Sequence, residues 1–325
     1  MFGSVEDSLG GRYFAYYTST FWLYIMDRQG RIVWYYADPT TNATSSFQRV
    51  ARDGEYIWIE KRSFNGELAQ SVVKMTLDFE YLEEFPVPGL SDAIDVTDDG
   101  SLLYDVDGNL RERTSSGEVR DIWSCRAHFG RAFRCYTNTV NWYAPDDSVL
   151  LSFPYHNTVV EIARQSGAVI GQYGNAPGSW SFAPPLSNPP AAWAFSFQHF
   201  PNRTPAGTLL VSTHVPGCGS ESEPGPYRHG FLEFELDRDA RTLVEKWRYT
   251  DGLEWPRAKG MAIRVSNGNT LGNYGTGGVI REITPDGRTV FGVKFDVPGG
   301  NDFYNKMVGN TVLIDDLYAL NGGLR

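Results

Sequence analysis

An apolar strand, a turn bearing Asp or Gly and a second apolar strand recur along this chain at blade-like intervals. The copies read Trp22-Leu23-Tyr24-Ile25 … Gly30 … Ile32-Val33-Trp34, then Val72-Val73-Lys74-Met75 … Phe79, then Leu110 … Gly117 … Val119. They continue as Val159-Val160-Glu161-Ile162 … Gly167 … Val169, Phe231-Leu232-Glu233-Phe234 … Leu243-Val244 and Val279-Ile280-Arg281-Glu282-Ile283 … Gly287 … Val290. Spacings of roughly 40 to 70 residues fall in the range of propeller blades. A hairpin of this size cannot bury its own apolar face, so the copies must stack on one another.

A second pattern precedes each hairpin. Polar turns at Asp53-Gly54, Asp99-Gly100, Asp146-Asp147, Ala206-Gly207 and Asn267-Gly268 lead into YIWIE, SLLYD, SVLLSF, TLLVST and NTLGNY. Asx-Gly dipeptides favour primed hairpin turns that match strand twist. Each blade is therefore expected to hold four strands. A last turn, Val308-Gly309, has no hairpin after it, and the first hairpin has no full strand pair before it. One blade should draw on both chain ends, pairing edges that would otherwise be open. The expectation is an all-β, six-bladed propeller of four-stranded blades over residues 1–325, a single domain closed by its N- and C-terminal strands.

The bulk properties narrow the partners. The chain carries 39 acidic against 29 basic side chains, a net charge of −10. Such a chain has no basic surface to displace phosphate counterions, which argues against a nucleic-acid partner. No stretch approaches the ~20 apolar residues of a membrane span. The start, MFGSVEDSLGGRYF, lacks a basic n-region and an apolar h-region and does not read as a signal peptide. Cys125 and Cys135 bracket a loop containing Arg126, His128, Arg131 and Arg134. A disulfide there would mean an oxidising compartment, and two free thiols are the alternative. Cys218 lies in a Gly/Ser/Pro-rich loop and is expected to stay free, and Asn42-Ala43-Thr44 fits a glycosylation sequon.

In a propeller the innermost strand of each blade lines an axial channel. Counting eight residues back from each turn glycine gives Ser46, Asp92, His199, Gly260 and Asn301, with Thr137 to Thr139 equivalent before Asp147. Convergent polar groups in a concave mouth are the default site. Gln48, Asp95, Asn138, Lys259 and Tyr304 lie within the error of this count. His199 is the candidate nucleophile or general base, since imidazole titrates near neutrality. Asp92 is its candidate acid–base partner. Asn138, Thr137, Lys259 and Arg257 are candidate substrate clamps, with Trp193, Phe195, Trp255 and Tyr304 lining the pocket. His214 is expected to be structural, His156 and His229 to be surface groups, and His128 to be a possible reach over the channel. Arg281 sits at a hairpin position that usually faces solvent.

Several segments resemble the arylsulfate sulfotransferase family. They are Phe197-Gln198-His199 with Gly207-Thr208-Leu209-Leu210, and Thr137-Asn138-Thr139-Val140 with Asp146 to Phe153 and Asn157-Thr158-Val159-Val160. Asn267-Gly268-Asn269-Thr270-Leu271 is the third. The resemblance spans roughly residues 45 to 295. It implies a six-bladed periplasmic propeller that moves a sulfuryl group between phenols through a sulfohistidine, with His199 at the nucleophile's place and no cofactor. Thr137 stands where that family has a second histidine, Asp92-Ala93 where it has a His-Asp pair, and Pro154 where it has a sulfate-binding arginine. Losing one such contact costs on the order of 3 kcal/mol of transition-state stabilisation, so weak or absent sulfotransfer is expected.

The leading functional expectation is thus an arylsulfotransferase-like enzyme acting on a small, aromatic molecule in the axial mouth. One alternative is a calcium-assisted lactone or ester hydrolase, with Asp92, Asp95, Asn138 and Asn301 as oxygen ligands. The other is a non-catalytic ligand-binding propeller. The resemblance and the cysteine pair favour a periplasmic or secreted protein. A cytoplasmic location, the substrate and the oligomeric state stay open.

Overall fold

A computed structural model describes residues 13–18, 22–37, 45–52, 56–63, 69–76, 80–183, 196–215, 228–250, 259–295 and 308–314. The first sheet holds β1 (Tyr13–Thr18), β2 (Trp22–Met26) and β3 (Ile32–Ala37). The second holds β4 (Ser45–Arg52), β5 (Ile57–Ser63), β6 (Ala69–Met75) and β7 (Tyr81–Pro86). The third holds β8 (Leu90–Val96), β9 (Leu102–Val106), β10 (Asn109–Arg113) and β11 (Val119–Ser124), and a short helix, α1 (Cys125–Phe129), follows it. The fourth holds β12 (Thr139–Tyr143), β13 (Ser148–Phe153), β14 (Thr158–Ala163) and β15 (Val169–Gly174). Next come β16 (Ser181–Phe182), β17 (Ser196–Arg203), β18 (Leu209–Val215), β19 (Arg228–Asp237) and β20 (Thr242–Tyr249). The last sheet holds β21 (Gly260–Arg264), β22 (Thr270–Tyr274), β23 (Val279–Ile283) and β24 (Thr289–Lys294), and β25 (Val308–Ile314) returns to pair antiparallel with β1.

The all-β propeller class holds, but six uniform four-stranded blades do not. Five blades have four strands, and the remaining sheet has five, in the order β16-β20-β19-β18-β17. The extra strand has a local cause. The segment after β15 turns back and lays β16 parallel to the outer edge of β20, pairing Ser181 with Thr242 and Phe182 with Leu243. An exposed edge is thereby covered.

Burial follows each strand's place in its sheet. Middle strands are covered on both faces by neighbouring sheets, so β13 is buried at every position. The outer β7 alternates between exposed and half-buried residues. Polar spokes stitch neighbouring sheets together. Glu161 of β14 pairs with Arg203 of β17 at 3.3 Å, Glu233 of β19 with Arg264 of β21, and Glu282 of β23 with Arg28 after β2. Glu112 of β10 holds Arg164 in the same way. Each of these glutamates belongs to the recurrent hairpin, so the repeat carries its own fastener. Charges this deeply buried fix geometry more surely than they add stability, since removing one partner strands the other. Arg281, expected in solvent, is buried over the Tyr274 ring at 5.2 Å, because the preceding sheet covers that face of β23, with Tyr249 of β20 in reach at 3.5 Å.

The turns also depart from expectation. Among the described residues only Asp107-Gly108 has two consecutive residues at positive φ, as a type I′ turn requires. At Asp99-Gly100 only the glycine is left-handed. There the Thr97 amide donates to the Ser101 carbonyl at 3.0 Å, and the Thr97 hydroxyl accepts from the Ser101 amide at 3.1 Å. The threonine side chain stabilises the wider turn, and Thr204 and Thr284 repeat it. Asp147, which replaces the turn glycine of its blade, takes φ 44° as a glycine there would.

Candidate functional site

The strands β4, β8, β12, β17, β21 and β25 each end a sheet and contact one another in succession around the axis. Side-chain amides and carboxylates lock this inner circle. Asp95 of β8 accepts from the Trp142 amide of β12 at 2.6 Å. Asn141 of β12 donates to the Pro201 carbonyl of β17 at 2.6 Å, and Asn202 of β17 donates to the Ala262 carbonyl of β21 at 2.6 Å. Inner strands pair on one side only, so these side chains supply what a missing neighbour strand would.

His199 lies half-buried on β17, and that strand is distorted around it. Pairing with β18 shifts register both before and after His199. Phe197 and Phe200 sit at φ 45° and 48°, a region that non-glycine residues visit at a cost of order 1–3 kcal/mol each. Neighbouring contacts hold the distortion. The Phe197 amide donates to Asn157 Oδ1 at 2.9 Å, and the Phe200 amide donates to Thr139 Oγ1 at 2.9 Å. Double bulging of this kind re-aims a side chain.

Asn138, the residue before β12, meets the histidine. Its Nδ2 donates to the Gln198 carbonyl at 2.9 Å, which fixes the orientation of the amide. The same Nδ2 lies 3.0 Å from His199 Nδ1. Since Nδ2 only donates, Nδ1 must accept, and the neutral ring carries its proton on Nε2. Sequence reasoning placed Asn138 and His199 together, and the structure brings them into contact.

Behind His199 lies a buried cluster that the sequence did not announce. Ser212 pairs with His199 across β17 and β18, and His214 pairs with His229 across β18 and β19. The His214 and His229 rings are 6.3 Å apart, and His229 Nε2 is 3.0 Å from Ser212 Oγ. His229 is 3% exposed, so its expected place at the surface is corrected: β19 begins earlier than the loop assigned to it and carries the ring inward. Burial, then the neighbouring His214 and His199, push its pKa well below the ordinary histidine value, so it stays neutral. A serine and a neutral histidine at this distance resemble a nucleophile and base. Their packing argues otherwise. A Cβ at Gly260 would lie 2.2 Å from Ser212 Oγ and 2.9 Å from His229 Cε1, which leaves no room for a substrate carbonyl. Ser-x-His on one strand face, opposite a second His in the next strand, was the only signal available.

A second buried group lies under the start of β12. Asp105 Oδ2 accepts from Ser91 Oγ at 2.6 Å, Thr137 Oγ1 at 2.6 Å and the Gly108 amide at 3.3 Å. Its Oδ1 is buried without a partner, and burial pushes its pKa up to about 6. The Thr137 hydroxyl is thus committed to Asp105. Asp95 likewise spends Oδ1 on the Val96 amide and Oδ2 on Trp142. Lys259 sits at φ 69° just ahead of β21. Among the described residues no group of three or more His, Cys, Asp or Glu could hold a metal ion. Asp92 belongs to β8, with its side chain outside the description, and Trp193, Phe195, Trp255, Arg257, Asn301 and Tyr304 lie outside the described residues, as do Asn42 and Cys218.

Cys125 and Cys135 are bonded, with Cα atoms 5.8 Å apart. Gly108, at φ 78°, passes so close that a Cβ there would lie 2.5 Å from the Cys135 Cβ. His128 does not reach over the channel. Its Nε2 is 3.0 Å from Gln172 Oε1 of β15, at the outer end of its sheet. The disulfide-closed loop instead meets the outer strand β15. His156 is half-buried, and its Nε2 accepts from the Arg134 amide at 2.9 Å. Among the described residues no helix is long and apolar enough to cross a membrane.

No family profile and no curated protein matches the chain. The resemblance to arylsulfate sulfotransferases therefore rests on the quoted segments alone. Solved structures resemble it in fold. A protein of unknown function from Bacteroides caccae is 16% identical, with a TM-score of 0.58, over 94% of this chain and 99% of that one. A streptogramin B lyase is 16% identical, with a TM-score of 0.51, over 96% and 92%. The β-propeller domain of Myceliophteria thermophila Cps50 (Swd1) is 11% identical, with a TM-score of 0.53, over 90% and 84%. The chain is a β-propeller, of a fold shared by enzymes and by proteins of other kinds.

Proposed function

We propose that the protein is an enzyme that turns over a small aromatic molecule at the axial mouth, with His199 as its central polar group. The observation that carries this reading is the Asn138–His199 contact on a strand bulged to either side of the histidine. Strain held by surrounding contacts is a feature of sites whose geometry matters. With Nδ1 accepting from Asn138, the neutral ring presents an Nε2–H. A donor of this kind stabilises negative charge building on a substrate oxygen, as a neutral imidazole does in other enzymes. Attack by Nε2 on a sulfuryl group would need the other tautomer, whose Nδ1–H would face the Asn138 donor. Charge stabilisation is therefore preferred over a sulfohistidine. Asp92, at the equivalent place on β8, takes the complementary role of proton acceptor.

The test uses a panel of chromogenic aryl esters, aryl sulfates and lactones. Turnover of one class should fall by at least about a hundredfold in His199→Gln and in Asp92→Asn, with the thermal midpoint little changed. Undiminished turnover in His199→Gln would sink the proposal.

A further inference from the structure

A concave site lies at the periphery, away from the axial cluster. It is an open cleft of about 850 Å³ between the disulfide-closed loop, the outer strand β15 and the turn joining β19 to β20. None of the described residues around His199 lines it. Its volume falls within the range of small-molecule sites, which run to about 1,000 Å³.

The lining has a definite chemistry. Phe129 and Phe133 stack at 4.0 Å, and Phe133 stacks on the His156 ring at 3.6 Å. Trp180 also lines the cleft. Arg238 and Arg241 stand at the cleft, and among the described residues no acidic side chain lines it, although the chain as a whole is strongly acidic. Arg238 is shared between Asp146 at 3.3 Å and Glu161 at 3.6 Å. Arg241 is different. It donates to the Gly178 carbonyl at 3.2 Å, and no carboxylate among the described residues pairs with it.

The two histidines have fixed proton positions. Gln172 Nε2 donates to the Pro177 carbonyl at 2.8 Å, so its Oε1 faces His128 and accepts from Nε2–H. His156 Nε2 accepts from a backbone amide, so its neutral ring carries the proton on Nδ1 as a further donor. The walls are held by the Cys125–Cys135 bond and by strand pairing, which lowers the ordering cost of binding.

We infer that this cleft is a binding site for a small aromatic carboxylate, with its ring against Phe129, Phe133 and Trp180 and its carboxylate on the Arg241 guanidinium. The planar guanidinium fork matches a carboxylate through two parallel hydrogen bonds. A neutral aromatic would forgo the charge-assisted pair with Arg241, and an aliphatic acid would forgo the ring contacts.

The experiment is calorimetric titration of the full chain with 2-naphthoate and with neutral 2-naphthalenemethanol. Saturable one-site binding of 2-naphthoate is expected, with the alcohol at least about tenfold weaker. Arg241 is exposed, so Arg241→Gln should keep the parent melting point while weakening 2-naphthoate at least about tenfold and leaving the alcohol unchanged. Ala132→Trp, from an exposed lining position, should obstruct both ligands. His199→Gln should leave binding intact, which separates this site from the axial one. The inference is overturned by absent saturable binding, by equal affinity for the alcohol, or by affinity indifferent to both Arg241→Gln and Ala132→Trp.

Discussion

Two neighbouring inner strands, β12 and β17, do the same architectural job in opposite ways. β12 pairs with β13 residue for residue from Thr139 to Tyr143, with no shift of register. β17 breaks register on both sides of His199 and places two phenylalanines at positive φ. The regular strand and the residue before it supply fixed partners: Asn138 donates to His199, Thr139 accepts from the Phe200 amide and Asn141 donates to the Pro201 carbonyl. The irregular strand supplies the group being held. A bulge can be kept only if something rigid beside it satisfies the backbone groups it frees. The lesson is that His199 owes its position to β12 as much as to its own strand.

The comparison can be broken most forcefully at the histidine itself. His199→Gln should reduce turnover by at least about a hundredfold with little loss of stability, read from parallel rate and melting measurements. If stability collapses while a residual rate survives, β17 is bulged for packing and not for chemistry.

The next effect belongs to the ground under β12. Asp105 holds a proton more tightly when folded, at about 6, than in an unfolded chain, at about 4. The folded state therefore binds more protons between those values. Its contribution to stability is greatest below about pH 4 and is lost as pH rises to about 6, by about 3 kcal/mol. Asp105→Asn should remove this dependence, so the parent-minus-variant difference in urea stability should drift by that amount between pH 4 and 7. A constant difference would show that Asp105 titrates normally.

Smaller still is the support behind β17. Gly260→Ala places a methyl against Ser212 and His229 and should cost about 1–3 kcal/mol, measured by urea unfolding. An unchanged midpoint would mean that the histidine cluster yields freely. The smallest effect sharpens the comparison from the β12 side. Asn138→Ala removes the donor to His199 Nδ1 and should cost about 1 kcal/mol of stability. Its rate loss should exceed what that destabilisation explains, and a rate equal to the parent's would detach Asn138 from the site.

Particular residues show how far the chain could be read. The hairpin phrase located β14, β19 and β23, and the ruler of eight residues put His199 and Asn138 at the same level. The number of strands per blade was not readable at β16, because two residues pairing in parallel with an outer edge leave no periodicity. Nor did any residue type mark Phe197 and Phe200 as left-handed, since phenylalanine has no preference for that conformation. His229 was misplaced because it follows a Gly/Ser/Pro-rich stretch in sequence, although β19 pairs it with His214.

The sequence alone determined what each blade must do: alternate apolar strands, turn at short polar dipeptides, and present a polar residue at the inner strand's start. Those features are local, and local periodicity is written in consecutive residues. Only the tertiary structure decided which polar groups meet. The tautomer of His199, the proton affinity of Asp105 and the burial of His229 depend on contacts across strands and between sheets. Such contacts arise from register, twist and close approach, which no single stretch of chain encodes.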